Sequence, residues 1–375
     1  MNNMQTQLVP SELLQKTNKI LFITHLSLGD FTYLQNYFQA FAKRYPHNKI
    51  HIWVDEVRRT RFIWKWKHLK NYALYDWLAA CPFIHKIYNQ TYSPACLKKS
   101  IREAQAEKYP LVVSPATLHP HFYARLARSV SPKGFVVGMQ NPTHMVNVIK
   151  RFSYRKMDRG MLWKNVSKAD KHMSDWYASL FERLFGIEVS VQQRFPFINI
   201  PNKWIVYAKL CFLKWGIDRE SKKYGKVIFI NSYAKNNKRS WPLDRVISLI
   251  RSIKQRDKWG GVSFIVNTVP EKMAKAQKLF RKHSLNNTFL FTADYNFFQL
   301  PAIISLCDLV ISVETAVMHF ANALHVPLIA LMRQKNPEWA PIDKDKSLVI
   351  TTLKRKDWIK DISIQRVLEH ISRAG

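Results

Sequence analysis

Residues 307–333 read CDLVISVETAVMHFANALHVPLIALMR. The apolar run at 309–312 has the composition of a strand buried on both faces, and it breaks at the polar pair Glu314-Thr315. Residues 317–324 then place apolar and small side chains at helical spacing, and 327–332 is apolar again. Strand, polar turn, helix and strand in one short span predict a βαβ step of a parallel sheet.

Working outward, the same alternation predicts strands near 226–231, 262–267 and 288–291, with helices near 243–257, 271–283 and 298–307. A second series precedes it. Strands are expected near 19–25, 49–55, 84–88, 111–114 and 134–139, and helices near 31–44, 72–80, 94–108 and 121–130. Between the series, residues 195–225 contain Pro196, Pro201, Gly216 and Gly225, which predicts an interdomain connection with a short helix. Residues 139–175 carry eight basic residues among Met and aromatic side chains and are expected to be a mobile, partly helical insertion. The expectation is α/β: a first Rossmann-like domain over 1–200 that includes the insertion, a linker over 201–225, and a second Rossmann-like domain over 226–355. A closing amphipathic helix over 356–375 is expected to pack back on the first domain.

A chain of 375 residues exceeds the roughly 250–300 that one core supports, which agrees with two domains. Lys and Arg number 59 against 26 acids, a formal charge of +33 that selects anionic partners. Nucleic acid, an acidic membrane leaflet and phosphorylated small molecules all meet that requirement. Cys81, Cys96, Cys211 and Cys307 form neither a CxxC pair nor a zinc-like spacing, and read as thiols in a reducing compartment. The first residues lack the charged and apolar regions of a secretory signal, and no run reaches the ~18 apolar residues of a membrane span. Membrane contact is expected to be peripheral.

Three turns carry candidate chemistry. Ser27-Leu28-Gly29-Asp30 follows the first strand, so Asp30 is either a helix cap or a carboxylate aimed at a ligand. After the strand at 226–231, the loop from Ser232 to Trp241 holds Lys235, Lys238 and Arg239 before a helix, where free N–H groups and cations suit a diphosphate, or form a solvated basic turn. The third turn is Glu314-Thr315-Ala316, with His319 one helical turn on. Its N–H groups suit a diphosphate, and the Glu314 carboxylate could accept hydrogen bonds from sugar hydroxyls.

Taken with their order and spacing, these segments resemble the ADP-heptose:lipopolysaccharide heptosyltransferases of glycosyltransferase family 9. Residues 313–319, with Ala321, Ala323 and Pro327, resemble the family pattern Val-Asp-Thr-Gly-x-x-His. The resemblance implies a GT-B fold, two Rossmann-like domains facing each other across a cleft, and inverting transfer of heptose from ADP-heptose to the lipopolysaccharide inner core, either Kdo-lipid A or a heptosylated core. It implies Asp30 as general base, Ser232, Lys235 and one of Lys238 and Arg239 on the donor diphosphate, Glu271 on the ribose, and Glu314, Thr315, Ala316 and His319 on the donor. Glu314 stands where the family has Asp, and Ala316 where it has Gly. No cofactor is implied and no metal: Asp343-Lys344-Asp345 looks like a DxD motif but lies past the donor segments, and the basic loops supply the cations.

The cluster Arg58, Arg59, Arg61, Lys65, Lys67 and Lys70, interleaved with Phe62, Trp64 and Trp66, is the expected contact for a phosphorylated lipid acceptor and an anionic membrane surface, or else a solvated basic face. The implied location is cytoplasmic, on the inner face of the inner membrane. Rival readings are a transferase of the same fold with another nucleotide sugar or acceptor, a non-catalytic lipid-binding member, and a nucleic-acid-binding protein. No nucleic-acid motif supports the last, and nucleic acid is not an expected partner.

Overall fold

The structure, a computed structural model, describes residues 7–142, 147–162, 172–219, 225–256 and 261–374. It divides into two compact units, Met1–Arg194 and Phe195–Gly375.

The strands of the first unit are β1 (Lys19–Thr24), β2 (Lys49–Val54), β3 (Ile84–Tyr88), β4 (Leu111–Ser114), β5 (Phe135–Gln140) and β6 (Arg159–Leu162). Its helices are α1 (Ser11–Lys16), α2 (Leu28–Arg44), α3 (Trp66–Lys70), α4 (Leu74–Ala79), α5 (Pro94–Ala106), α6 (Pro120–Val130), α7 (Val148–Tyr154) and α8 (Met173–Phe185). The sheet runs β3-β2-β1-β4-β5-β6 with every pair parallel.

The second unit repeats the plan with β7 (Val227–Asn231), β8 (Ser263–Asn267), β9 (Thr288–Phe291), β10 (Leu309–Val313), β11 (Leu328–Met332) and β12 (Ser347–Thr351). Its helices are α9 (Asn202–Lys214), α10 (Leu243–Lys254), α11 (Pro270–Lys282), α12 (Gln299–Ser305), α13 (Ala316–Ala323) and α14 (Ile364–Ala374). The order β12-β11-β10-β7-β8-β9 is again all parallel. Read by position within its unit, each sheet has the 3-2-1-4-5-6 order of a Rossmann-like domain. The winding direction reverses between β1 and β4 and between β7 and β10, so the crevice at the carboxyl end of each pair is where ligands bind in such sheets.

Apolar runs make these strands because both faces are covered: β4, β7, β10 and β11 are buried throughout. Phe22 on β1 meets Phe38 and Phe41 of α2 and Phe181 and Phe185 of α8, with ring centroids 4.9–6.1 Å apart. Each such pair adds about 0.5–1.5 kcal/mol beyond the area it buries. Tyr177, Phe181, Leu184 and Phe185 recur at i, i+4, i+7 and i+8, so one stripe of α8 lies against α2.

Three expectations change. Residues 139–175 contain α7 and β6, which extend the sheet through β5–β6 pairing, so the described part is another step of the winding. Lys164, Lys168 and Lys171 lie outside the described residues. The expected linker holds α9, packed against α12 within the second unit, and the division falls at Arg194. The closing helix α14 places Val367, Leu368 and Ile371 in the core of the second unit with Ile247, Ile250 and Ile350, where the sequence reading sends it to the first domain. Amphipathicity fixes that a helix buries a stripe but leaves the partner open.

Among the described residues no helix is long and apolar enough to cross a membrane. The four cysteines are free thiols, Cys81 and Cys307 buried.

Candidate active site

In the first unit, β1 ends in a turn that starts α2, and Ser27 and Asp30 close that helix reciprocally. Ser27 Oγ accepts from the Asp30 amide at 3.2 Å, and Asp30 Oδ2 accepts from the Ser27 amide at 3.1 Å and from the Ser27 hydroxyl. The other oxygen, Oδ1, accepts from Tyr177 at 3.1 Å. Asp30 is therefore a cap, yet its half-buried carboxylate also lines a pocket of about 50 Å³ at the β1–β4 crevice, with His25, Ala116, Thr117, Trp176 and Tyr177. A carboxylate has about four acceptor positions, so one on Oδ1 stays open to a ligand hydroxyl.

Two residues here escaped the sequence reading. Burial, with the Asp30 carboxylate beside it, pushes the Tyr177 phenol well above its ordinary range and keeps it a proton donor. His25 stacks on Tyr123 at 5.9 Å, and its buried Nδ1 has no hydrogen-bond partner among the described residues. Burial lowers its pKa against the opposing pull of Asp30 and Asp55, which favours neutral imidazole. A polar residue closing an apolar strand was the available signal for His25. Tyr177 gave none, because its contact spans distant sequence.

The second unit offers a different surface. Asn267 Nδ2 donates to Asn231 Oδ1 at 2.8 Å, and Asn231 Nδ2 donates to Ser312 Oγ at 3.1 Å and Thr315 Oγ1 at 2.9 Å. This chain ties the carboxyl ends of β8, β7 and β10 together. Thr315, spent on it, gives α13 no side-chain cap, so the first amides of that helix stay open to an anion. Ser232, 1% exposed, has a hydroxyl without a hydrogen-bond partner among the described residues. Buried hydroxyls are nearly always paired, so its orphaned state marks a place for a ligand atom or water.

The loop after β7 is closed by the Trp241 amide on Ser232 O at 2.8 Å, and anchored by the buried Trp241 indole donating to Ile362 O at 3.0 Å. Lys235 and Lys238 are exposed, and Lys238 Nζ sits over the Trp358 ring at 5.6 Å. Arg239 is half-buried; its amide donates to Asn236 O at 2.9 Å, and its guanidinium has no ion-pair or hydrogen-bond partner among the described residues. Glu271 is exposed in the first turn of α11, and buried His319 packs its ring on Trp339 at 5.7 Å. Asp343 turns Oδ1 to the Lys346 amide at 3.2 Å and so closes its own turn.

The basic cluster at 58–70 splits. Arg58 is held in a fork by Glu56 at 2.7 and 2.6 Å, and Arg59 by Asp55 and Thr91 O. Lys70 lies over the rings of Trp66 and Tyr92. Arg61, Lys65, Lys67 and Lys70 are exposed, next to exposed Phe62, Ile63 and Trp64, with Lys65 Nζ 5.4 Å from the Phe62 ring.

Comparison with known proteins fits this picture. The fold matches a family 9 glycosyl transferase from Veillonella parvula with a TM-score of 0.73 at 17% identity, covering 95% of this chain and 97% of that one. It matches the E. coli ADP-heptose lps heptosyltransferase II with a TM-score of 0.66 at 17% identity, covering 95% and 98%. The E. coli heptosyltransferase WaaC with ADP gives a TM-score of 0.64 at 14% identity, covering 95% and 100%. These neighbours establish the GT-B class of two Rossmann-like domains. No curated protein sequence matches the chain. Residues 143–367, more than half of the chain, match the model of glycosyltransferase family 9 (heptosyltransferase), and the chain belongs to that family of glycosyltransferases.

Proposed function

We propose that the chain transfers heptose from ADP-heptose, with inversion at the anomeric carbon, to a sugar of the lipopolysaccharide inner core. The observation that carries this reading is the Asp30 carboxylate, fixed by Ser27 and Tyr177 with one acceptor position left at a ligand crevice. Asp30 takes the proton of the acceptor hydroxyl as that oxygen attacks the anomeric carbon, and the nucleoside diphosphate leaves. Ser232, the open amides at Thr315-Ala316, Lys235 and Arg239 hold that diphosphate and stabilise its developing charge. Of the two candidate cations, Arg239, whose guanidinium has no partner among the described residues, is favoured over Lys238, which is drawn to Trp358. Glu271 contacts the ribose and His319 the donor.

Arg61, Lys65 and Lys67, flanked by Phe62, Ile63 and Trp64, meet an anionic membrane surface and the phosphates of the acceptor, on the cytoplasmic face of the inner membrane. Arg58 and Arg59 order that loop through their carboxylate partners.

The test is release of nucleoside diphosphate from ADP-heptose and from UDP-hexoses with Kdo-lipid A and with heptosylated core as acceptors. ADP release from ADP-heptose alone, dependent on acceptor, is expected. Turnover of a UDP-hexose in its place overturns the donor assignment.

A further inference from the structure

Glu314 follows β10 and is 5% exposed. Its Oε2 accepts from the Arg333 amide at 3.3 Å and from Arg333 Nε at 3.2 Å, while Oε1 accepts from Arg333 Nη2 at 3.2 Å and Asn336 Nδ2 at 3.0 Å. These four donors fill the acceptor positions a carboxylate has. A sugar hydroxyl that donated to Glu314 would have to displace one of them. The carboxylate is instead a mount, fixing the plane of a guanidinium whose Nη1 edge has no partner among the described residues. Arg333 follows β11, and the register Val313↔Leu331 brings the ends of β10 and β11 side by side, so this edge belongs to the same carboxyl rim as Thr315 and the uncapped start of α13. Its side chain is 14% exposed, which leaves it reachable while shielding it from much of the solvent.

We propose that Arg333, oriented by Glu314, binds an oxyanion of the nucleotide sugar, and that Glu314 is a positioning residue that touches no sugar hydroxyl. The proposal deepens the donor-site reading above and rests on it. A guanidinium only donates, so at this corner the pocket selects acceptors, and a charged oxygen is the acceptor that best repays a partly desolvated cation. Heptose carries no acidic group, so with the proposed donor the oxyanion is one of the diphosphate; an acidic sugar at this corner would mean a donor other than ADP-heptose.

Removing Arg333 alone strands a buried carboxylate and threatens the fold. The test therefore uses the double variant Glu314→Gln/Arg333→Gln, which keeps the packing without a lone charge, checked by its thermal transition. The full chain and this variant are titrated with ADP, UDP and UDP-glucuronate. The expected result is at least a tenfold loss of affinity, the scale of a lost charge-assisted hydrogen bond. A loss already present with ADP or UDP assigns the diphosphate, and a loss confined to UDP-glucuronate assigns an acidic sugar in place of heptose. Glu314→Gln alone, which keeps the guanidinium but loosens its mount, weakens binding by a smaller factor. Equal affinities of the parent and double variant for all three nucleotides overturn the proposal and leave the donor reading standing. A parent chain that binds none of the three overturns the donor reading and this inference with it.

Discussion

Tyr177 donates a 3.1 Å hydrogen bond to Asp30 across 147 residues of chain, joining α8 to the turn after β1. The buried phenol fixes one carboxylate oxygen while Ser27 fixes the other, so the proposed base is held before any substrate arrives.

Tyr177→Phe removes that restraint and little volume. Its kcat is expected to fall about three- to tenfold, the range of one hydrogen bond, with nucleotide affinity unchanged. Steady-state kinetics against donor and acceptor separate the two effects. An unchanged kcat would detach Tyr177 from the base.

The orphaned Ser232 hydroxyl and the Arg239 guanidinium predict a graded loss at the diphosphate. Arg239→Gln is expected to weaken ADP binding by about ten- to a hundredfold, and Ser232→Ala by several-fold. Lys238→Gln does less, because its ammonium is engaged with Trp358. Calorimetric titration with ADP ranks the three, and a larger loss at Lys238 than at Arg239 reverses the assignment.

Truncation after Ser363 removes Val367, Leu368 and Ile371 from the core of the second unit. Each buried aliphatic side chain is worth about 1.5–3 kcal/mol, so the deletion costs much of a domain's margin. The second unit is expected to lose its cooperative melt and become the first target of a protease. A truncated chain with the parent's unfolding profile would show that α14 contributes little to that core.

His51 accounts for part of the acid sensitivity expected of the first unit. Burial pushes its pKa from 6.5 to about 4, and it shares a 2.6 Å hydrogen bond with the Tyr109 hydroxyl. The folded pKa is the lower one, so between these values the unfolded chain binds more protons. The stabilisation is complete above pH 6.5 and is lost as pH falls towards 4, by about 3 kcal/mol at most. Urea titrations at several pH values are expected to show that slope, and His51→Gln flattens it.

Replacing Phe62, Ile63 and Trp64 together by Ser is expected to lower partition onto anionic vesicles at least tenfold without altering ADP affinity, since exposed apolar side chains next to cations gain by entering the interface. Co-sedimentation with vesicles of phosphatidylglycerol and phosphatidylethanolamine measures it. Equal partition of parent and variant excludes this loop as the contact.

The sequence exposes features that are local. Apolar runs bounded by turns marked ten strands, and the Ser27–Asp30 and Glu314–Thr315 turns stood out because polar residues end buried strands there. β6 was hidden because Arg159-Gly160-Met161-Leu162 lacks a β-branched run, and β12 because Ser347 and the exposed Val349 dilute its pattern. Contacts distant in the chain were illegible. Glu314 reads as a free acceptor until Arg333 and Asn336 are seen to fill it, and Arg58 and Arg59 read as part of a binding face until Glu56 and Asp55 claim them.

Whether Asp30 is the base is read from single-turnover heptose transfer from ADP-heptose to a core acceptor by the parent chain and by Asp30→Asn, whose amide cannot take the proton. Asp30→Asn is expected to bind ADP as the parent does and to transfer about 100- to 10,000-fold more slowly, the range general-base catalysis supplies. Transfer at the parent rate by a folded Asp30→Asn chain would contradict that assignment.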